Sequence, residues 1–387
     1  MAGKNLNILL TVQGEGRGHL SQAIVAYEWL KEEGHKVSGV IVGGGGTQNL
    51  PAYFKKRIQS PIYRIESPCF VRDQHNKAVR LLPTIIRAIG KTRKYLKGIL
   101  VIQEIVKRQQ PDLILNFYEP LVGIAHFFNR IKTDTISIAH QYLFIHPSFI
   151  FPPELTRKEK WLLKRYTRLT AHGSKKILAL SYNEGSLTKH KNIYLCPPFI
   201  RNEIKSVEPF KGSHLLVYIV NAGYMENIIE WHKENPAVPI HCFTDSKKVK
   251  DKWAYSETLT FHSLNDQQFI RYMTNALSVI TTAGFESVCE AFYLNKPVMM
   301  VPVEGHAEQR CNAFDGEKAG VGIASATFKL TQAIDMKDTD EEVARLFKIW
   351  SNRLPEFLTA ALNDIKQVSN LKHAEEAFLY SESYSME

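Results

Sequence analysis

Short apolar runs alternate along this chain with longer stretches whose apolar positions recur at helical spacing. Residues 7–12 (NILLTV) form a buried-type strand running into the glycine loop 14–20 (GEGRGHL). An amphipathic helix is predicted from Ser21 to about Glu33, stopped by Gly34. The next strand, in HKVSGVIVGGGG, ends on four glycines, and 113–117, 135–140 (TISIAH) and 177–182 (ILALSY) continue the series. The regular pattern lapses near Cys196-Pro197-Pro198. It restarts with strands at 214–220, 240–245 and 259–265, a helix through 271–276, and a strand at 279–283. Strand and helix alternating in both halves predict an α/β protein of two Rossmann-like units. The expected boundaries are 1–198, a linker at 199–213, 214–350, and a helical C-terminal segment at 351–387 broken by Pro355.

Polar chemistry is densest between Thr281 and Gly322. The strand VITTA breaks at Gly284, and a helix from Ser287 to Leu294 puts Val288, Ala291 and Phe292 on one face. A second apolar strand, 296–303, lies between Pro297 and Pro302. The loop 304–309 then carries two carboxylates, a histidine and an amide, more than a connector requires. A helix N-terminus facing a glycine turn suits an anionic phosphate.

The first glycine loop is not a dinucleotide fingerprint. Its glycines fall as G-x-G-x-G followed by His19, and the second strand ends on glycines where a ribose-binding acid would be needed. Gly16 and Gly18 instead let a substrate approach the backbone. His19, near the start of the first helix, is a candidate base, its neutral form favoured by the helix N-terminus. Glu119, just beyond the third strand, can orient His19 or act as base itself; a loop carboxylate before Pro120 is the equal alternative. His140 ends the strand TISIAH and is either an acceptor contact or a structural histidine.

Charge adds a question about partners. The net charge is +10, with 14 Lys/Arg against 3 acids between Lys55 and Arg108, and 10 against 2 between Arg157 and Lys191. A solvated basic face accounts for this, and an anionic membrane surface or acceptor is the functional alternative. The aromatic loop 142–153 (YLFIHPSFIFPP) either folds back as core or forms an apolar patch. The first residues, MAGKNLN, lack an apolar leader, and no run approaches the about 18 apolar residues of a spanning helix. Five scattered cysteines suit a reducing compartment and no metal framework. The expectation is a cytoplasmic protein, peripheral on the membrane at most, with no nucleic-acid partner.

The C-terminal residues Ala283-Gly284, Ser287, Glu290-Ala291, Lys296-Pro297, Val301-Pro302, Glu308-Gln309, Asn312-Ala313 and Gly320, with the N-terminal loop ending in His19, resemble the GT-B glycosyltransferases. The nearest type is family 28, which includes the lipid II-forming N-acetylglucosaminyltransferase. The resemblance implies two Rossmann-like domains facing across a cleft, the N-terminal one for the acceptor and the C-terminal one for a nucleotide-sugar, with UDP the expected nucleotide. It implies diphosphate contacts from Gly284, Phe285, Ser287, Asn221 and Gly223, and ribose hydroxyls on Glu290. Glu308 and Gln309 would hold the sugar, and Leu264 and Asn265 would line the base. Gly16, Gly18 and His140 fall to the acceptor side, a glycan or lipid-linked sugar; Asn312 would brace its loop. Ala283 replaces the family's Gly or Ser, and Glu286 is an unusual acid beside a diphosphate.

Retaining GT-B enzymes often carry two glutamates eight residues apart here, but Thr282 stands eight before Glu290, so inversion is expected. The lone D-x-D, Asp338-Thr339-Asp340, has no strand–turn context, and neither a metal nor a cofactor is expected. A UDP-sugar 2-epimerase would use the same diphosphate site but needs acid/base groups on both faces of the sugar. A binding protein without turnover is the remaining alternative.

Overall fold

The computed structural model describes residues 5–45, 50–68, 90–185, 190–219 and 222–365. Asn221 and Cys69 lie outside the described residues, as does 69–89 of the first basic block. The chain builds two parallel-dominated sheets. The first contains β1 (Asn7–Gln13), β2 (Lys36–Gly44), β3 (Ile62–Glu66), β4 (Leu113–Phe117), β5 (Thr135–Ala139), β6 (Lys176–Leu180) and β7 (Ile193–Cys196), ordered β3-β2-β1-β4-β5-β6-β7. The second contains β8 (His214–Ile219), β9 (Ile240–Thr244), β10 (Lys252–Ala254), β11 (Leu259–Ser263), β12 (Ala276–Thr281), β13 (Val298–Met300) and β14 (Ile323–Ala324), ordered β10-β11-β9-β8-β12-β13-β14. Only the edge strand β10 pairs antiparallel among the described ladders.

These strands read as continuous apolar runs because both faces are covered. Ile8, Leu10 and Val12 pack on one side of β1, and Leu9 packs on the other with Ile41 and Ile114. In each sheet the strand order reverses beside the first strand, and open α/β sheets place ligands at the carboxyl ends there. Val12 pairs with Phe117, so the glycine loop emerges beside Tyr118-Glu119. In the second sheet Thr281 pairs with Tyr218, which brings Thr282–Gly284 to the corresponding crevice.

Several local expectations change. The first helix is Gly18–Glu32, not one beginning at Ser21, so His19 sits in its first turn. The helix predicted through 271–276 is Asp266–Thr274, capped by the Asn265 side chain accepting from Gln268 N at 3.1 Å. The loop 142–153 opens as a 3₁₀ turn, His140–Ile145, with Tyr142, Leu143 and Phe144 buried. His146 and Pro152 are also buried and Phe149 and Phe151 pack half-buried on the core, while Pro147, Ser148, Ile150 and Pro153 stay exposed. Between the sheets, 197–201 and Ile204 are buried, while 205–213 is half-buried to exposed.

The helices Glu341–Asn352 and 354–365 turn back toward the first sheet. Trp350 Nε1 donates to Ser181 O at 3.0 Å, and Leu354, Leu358 and Leu362 join the hydrophobic cluster that runs through both domains. No helix among the described residues is long and apolar enough to cross a membrane.

Candidate active site

One cavity opens between the two domains, with about 1510 Å³ of empty space including its mouth. The N-terminal wall comes from Gly16, Arg17, Gly18 and His19, with Tyr118 and Gln141 from the tips of β4 and β5. Opposite stand Gly284–Ser287, Glu290, Glu308 and Gln309, with Leu264 and Asn265 at one side.

The donor-like wall is a helix start kept open. Gly284 is the N-cap of the helix Phe285–Tyr293, and no side chain caps that end. Ser287 Oγ donates to Gly284 O at 3.0 Å and lies 3.0 Å from Thr281 Oγ1, which ties the turn to β12. Ala283 sits at φ 57°, the left-handed region, where a Cβ is strained; this is the position where the resembled family has Gly or Ser. Asn312 Nδ2 braces the turn by donating to Ala283 O at 3.0 Å. Lys296, of the Lys-Pro pair, is buried and donates to Phe210 O and Ala276 O, so its role is to clamp strand ends.

Glu290 has a partner that the sequence did not foretell. Arg201, from the segment between the sheets, grips both its oxygens: Nε to Oε1 at 2.5 Å and Nη2 to Oε2 at 2.6 Å. Arg201 also donates to Asp266. Arg201 and Glu290 are 5% and 3% exposed, so the pair is almost fully desolvated. A ribose would reach Glu290 only through lone pairs that Arg201 leaves over. The other cavity cation, Arg17, stacks over Tyr53, its guanidinium 5.6 Å from the ring centroid.

Glu308 reaches across the cleft and accepts from Gln141 Nε2 at 2.9 Å; burial pushes its carboxyl up. Gln309 Oε1 accepts from Val303 N at 2.8 Å, holding the polar loop in shape. Glu286 accepts from Gln22 of the first helix. Burial, with smaller contributions from Glu290 and Glu308, pushes the Glu286 carboxyl up to about 7. The open question about this acid has a geometric answer: it points across the cleft, into the first turn of the opposite domain.

His19 faces the cavity over the ring of Tyr118, centroids 5.6 Å apart and planes 25° off parallel. Tyr118 itself has φ 60°, a conformation costly for a bulky residue, and this aims its ring beneath the imidazole. His19 Nδ1 is 3.1 Å from Gln22 Oε1, and Nε2 is 3.5 Å from Gln141 Nε2. Burial lowers its pKa to about 4, so the ring is neutral at pH 7. The cause is desolvation by the cavity walls, not the helix end invoked from the sequence.

Three expected residues stand elsewhere. Glu119 is not hydrogen-bonded to His19 and does not line the cavity. Its Oε1 accepts from Ser67 Oγ at 2.7 Å and from Leu121 N at 3.0 Å, capping the helix Pro120–Phe127. His140 is buried behind the wall, stacked on Phe285 at 4.1 Å with Nδ1 2.8 Å from Leu180 O. Its neighbour Gln141 reaches the cavity instead. Gly223 lies in the turn Ala222–Tyr224 and is not among the lining residues. Gln22, Arg201 and Tyr118 were missed. Only Gln22 left a signal in the chain, three residues after His19 and so on the same helix face.

The D-x-D is structural: Asp338 pairs with Lys211, and Asp340 caps the helix Glu341–Asn352. Among the described residues, no group of three or more His, Cys, Asp or Glu is arranged to hold a metal ion.

Known proteins sharpen this picture. An uncharacterized glycosyltransferase of Methanosarcina acetivorans is 26% identical over 338 residues, covering 82% of this chain and 83% of that protein. One from Methanosarcina mazei is 23% identical over 346 residues, covering 82% and 85%. Among solved structures, Phytolacca americana UGT2, complexed with UDP-2-fluoro-glucose and pterostilbene, superposes with TM-score 0.60 at 11% identity, covering 93% of this chain and 99% of that one. Acinetobacter baumannii MurG does so with TM-score 0.53 at 14% identity, covering 93% and 100%. The architecture is therefore GT-B. The model of glycosyl transferase family 1 matches residues 6–346, and on that match the chain belongs to glycosyl transferase family 1 and is a glycosyltransferase.

Proposed function

We propose that the protein moves a sugar from a UDP-sugar to an acceptor hydroxyl with inversion, in a single displacement that needs no metal. The observation that carries this reading is the placement of a neutral imidazole, His19, across one cavity from the uncapped helix start at Gly284–Ser287. The diphosphate lies against the Gly284 and Phe285 N–H groups and the Ser287 hydroxyl, where the helix dipole favours negative charge. Arg17 adds positive charge at the cavity wall, whereas the charge of Arg201 is neutralised by Glu290 and Asp266. Leu264, Asn265, Tyr218 and Phe269 form the side suited to a base, and Glu308 and Gln309 face the sugar. Arg201 orients Glu290, whose remaining lone pairs accept from the ribose.

In the reaction the acceptor oxygen attacks the anomeric carbon as its proton passes to His19 Nε2. The bond from that carbon to the diphosphate oxygen breaks, and its electron pair leaves on the diphosphate. The helix N-terminus and Arg17 meet the developing charge. Incubation with a panel of UDP-sugars should release UDP slowly from the correct donor alone, faster with acceptor, and invert the anomeric centre. His19→Ala should lower kcat by about 10²–10⁴-fold, the range of a general base. Transfer intact in His19→Ala, or retention of configuration, rules out this mechanism.

A lipid-linked or cell-envelope acceptor is favoured by the outer face of the first domain. The helices Thr92–Gln109, Pro120–Phe127 and Arg157–Thr170 pack in sequence there. They expose Leu96, Leu100, Phe127 and Trp161 among Lys97, Arg157, Lys158 and Arg168. That combination suits an anionic leaflet, on the cytoplasmic side. Co-sedimentation with phosphatidylglycerol vesicles, reversed by salt and absent with phosphatidylcholine, is the expected result. Equal recovery in the supernatant with both vesicles refutes it.

A further inference from the structure

The bonds around His19 decide which nitrogen carries its proton, and they run through a residue of the other domain. His19 and Gln22 are three residues apart on the first helix, so their side chains meet. Nδ1 of His19 is 3.1 Å from Oε1 of Gln22, and Nε2 of Gln22 donates to Oε1 of Glu286. An ionised carboxylate only accepts hydrogen bonds. Gln22 therefore turns its NH₂ toward Glu286 and its oxygen toward His19, which places the ring proton on Nδ1. Nε2 keeps its lone pair, which faces the cavity and the Gln141 NH₂ 3.5 Å away. Taking His19 as the base, as read above, we propose that Gln22 and Glu286 are positioning residues that hold it in the Nδ1–H tautomer only when the cleft is closed.

Gly18 supports this assignment. A Cβ built on it would press on the Glu286 carboxylate, which lies against the bare backbone of this turn. An acid thus stands beside the expected diphosphate with its carboxylate turned into the glycine turn of the opposite domain.

The relay also has a second setting. Glu286 titrates near 7, and it is surrounded by Glu290 and Cys289 on its own helix, Glu308 on the helix Ala307–Lys318, and Tyr182 beyond β6. Once protonated, it gains an O–H that can donate to the Gln22 oxygen, which frees the amide to turn its NH₂ toward Nδ1. The ring proton then sits on Nε2, and the base is lost. The acid limb of kcat should therefore fall near pH 7, where Glu286 takes up its proton. It should not wait for His19, whose pKa is about 4.

Ring-¹⁵N histidine spectra of the UDP-loaded protein at pH 8 test the tautomer directly, with His19→Ala identifying the signal. The wild type should show His19 as Nδ1–H, and Glu286→Ala should shift it toward Nε2–H. Gln22→Leu and Glu286→Ala should lower kcat at least tenfold, with a smaller change in acceptor KM. Gln22→Glu alone sets two carboxylates against each other and should also be slow. The swap Gln22→Glu/Glu286→Gln restores both hydrogen bonds with donor and acceptor exchanged, so it should recover activity over Gln22→Glu and lose the acid limb near pH 7. An unchanged His19 tautomer in Glu286→Ala, or a swap no faster than Gln22→Glu, overturns the proposal. If His19→Ala itself keeps transfer, the base reading fails first, a separate and distinguishable result.

Discussion

Glu119 illustrates how a buried carboxylate can look catalytic and serve the fold. It is fully buried at a strand tip, and burial pushes its carboxyl up to about 7 despite hydrogen bonds from Leu121 N and Ser67. In the unfolded chain the same group ionises near its ordinary value, about 4.3. The unfolded state therefore loses its proton first, and stability falls as pH rises from about 4 to 7, remaining lower above that. Glu119→Gln removes the titration and keeps an acceptor for Leu121 N. Relative to wild type it should gain stability between pH 4 and pH 8, of order a few kcal/mol. Urea denaturation at the two pH values measures this, and transfer activity at pH 8 should stay within about threefold of wild type. A loss of 10² or more would return Glu119 to the chemistry as a base.

At the scale of elements, the ion pair that joins the segment between the sheets to the helix Phe285–Tyr293 is the most consequential contact. Arg201 is held by Glu290 and Asp266 with almost no water near it. Removing one partner of such a group strands buried charge and costs about 3–5 kcal/mol. Arg201→Ala should show that loss in urea denaturation, while Arg201→Ala/Glu290→Gln should recover part of it by discharging the acid left behind. A single mutant within about 1 kcal/mol of wild type would mean that the pair is solvated in solution.

The same contact marks what could be read from the chain. The alternation of strand and helix in each domain, the helix start after the Gly284 turn and the clustering of Glu308 and Gln309 followed from periodicity and spacing, which are local. His19 was legible because its glycine loop is. Arg201 was not: it lies in a stretch without periodicity, and its partners are 65 and 89 residues away. Tyr118, whose backbone angle aims it, gave no signal, because a left-handed conformation at a tyrosine is imposed by the packing around it. His140 went the other way. Its position at a strand tip suggested function, and only its stacking on Phe285 reveals a wall residue.

For the whole molecule, closure is the sum of several bonds that cross one cleft. Gln22–Glu286 and Gln141–Glu308 lie inside it, and Arg310–Glu159 lies at its rim. The two C-terminal helices strap the domains together on the far side, with Lys176–Asp364 and Arg353–Glu184 fastening them to the first domain. Opening therefore breaks the cleft bonds while the strap holds, as a hinge requires. Arg310 and Glu159 keep 25% and 19% of their side-chain surface open to water, so their ion pair is worth about 1 kcal/mol, the upper end of the range for exposed pairs. That figure corresponds to a change of about fivefold in the ratio of closed to open molecules. Arg310→Ala should thus lower kcat/KM by up to about fivefold at low salt. The difference should vanish near 1 M salt, where the screening length is about 3 Å and the wild type has lost the same increment. Small-angle scattering should show a matching increase in radius for the variant in the absence of donor and none with saturating UDP. A loss well beyond fivefold that persists at high salt would show that Arg310 contacts substrate, and the rim would then belong to the active site instead of to its closure.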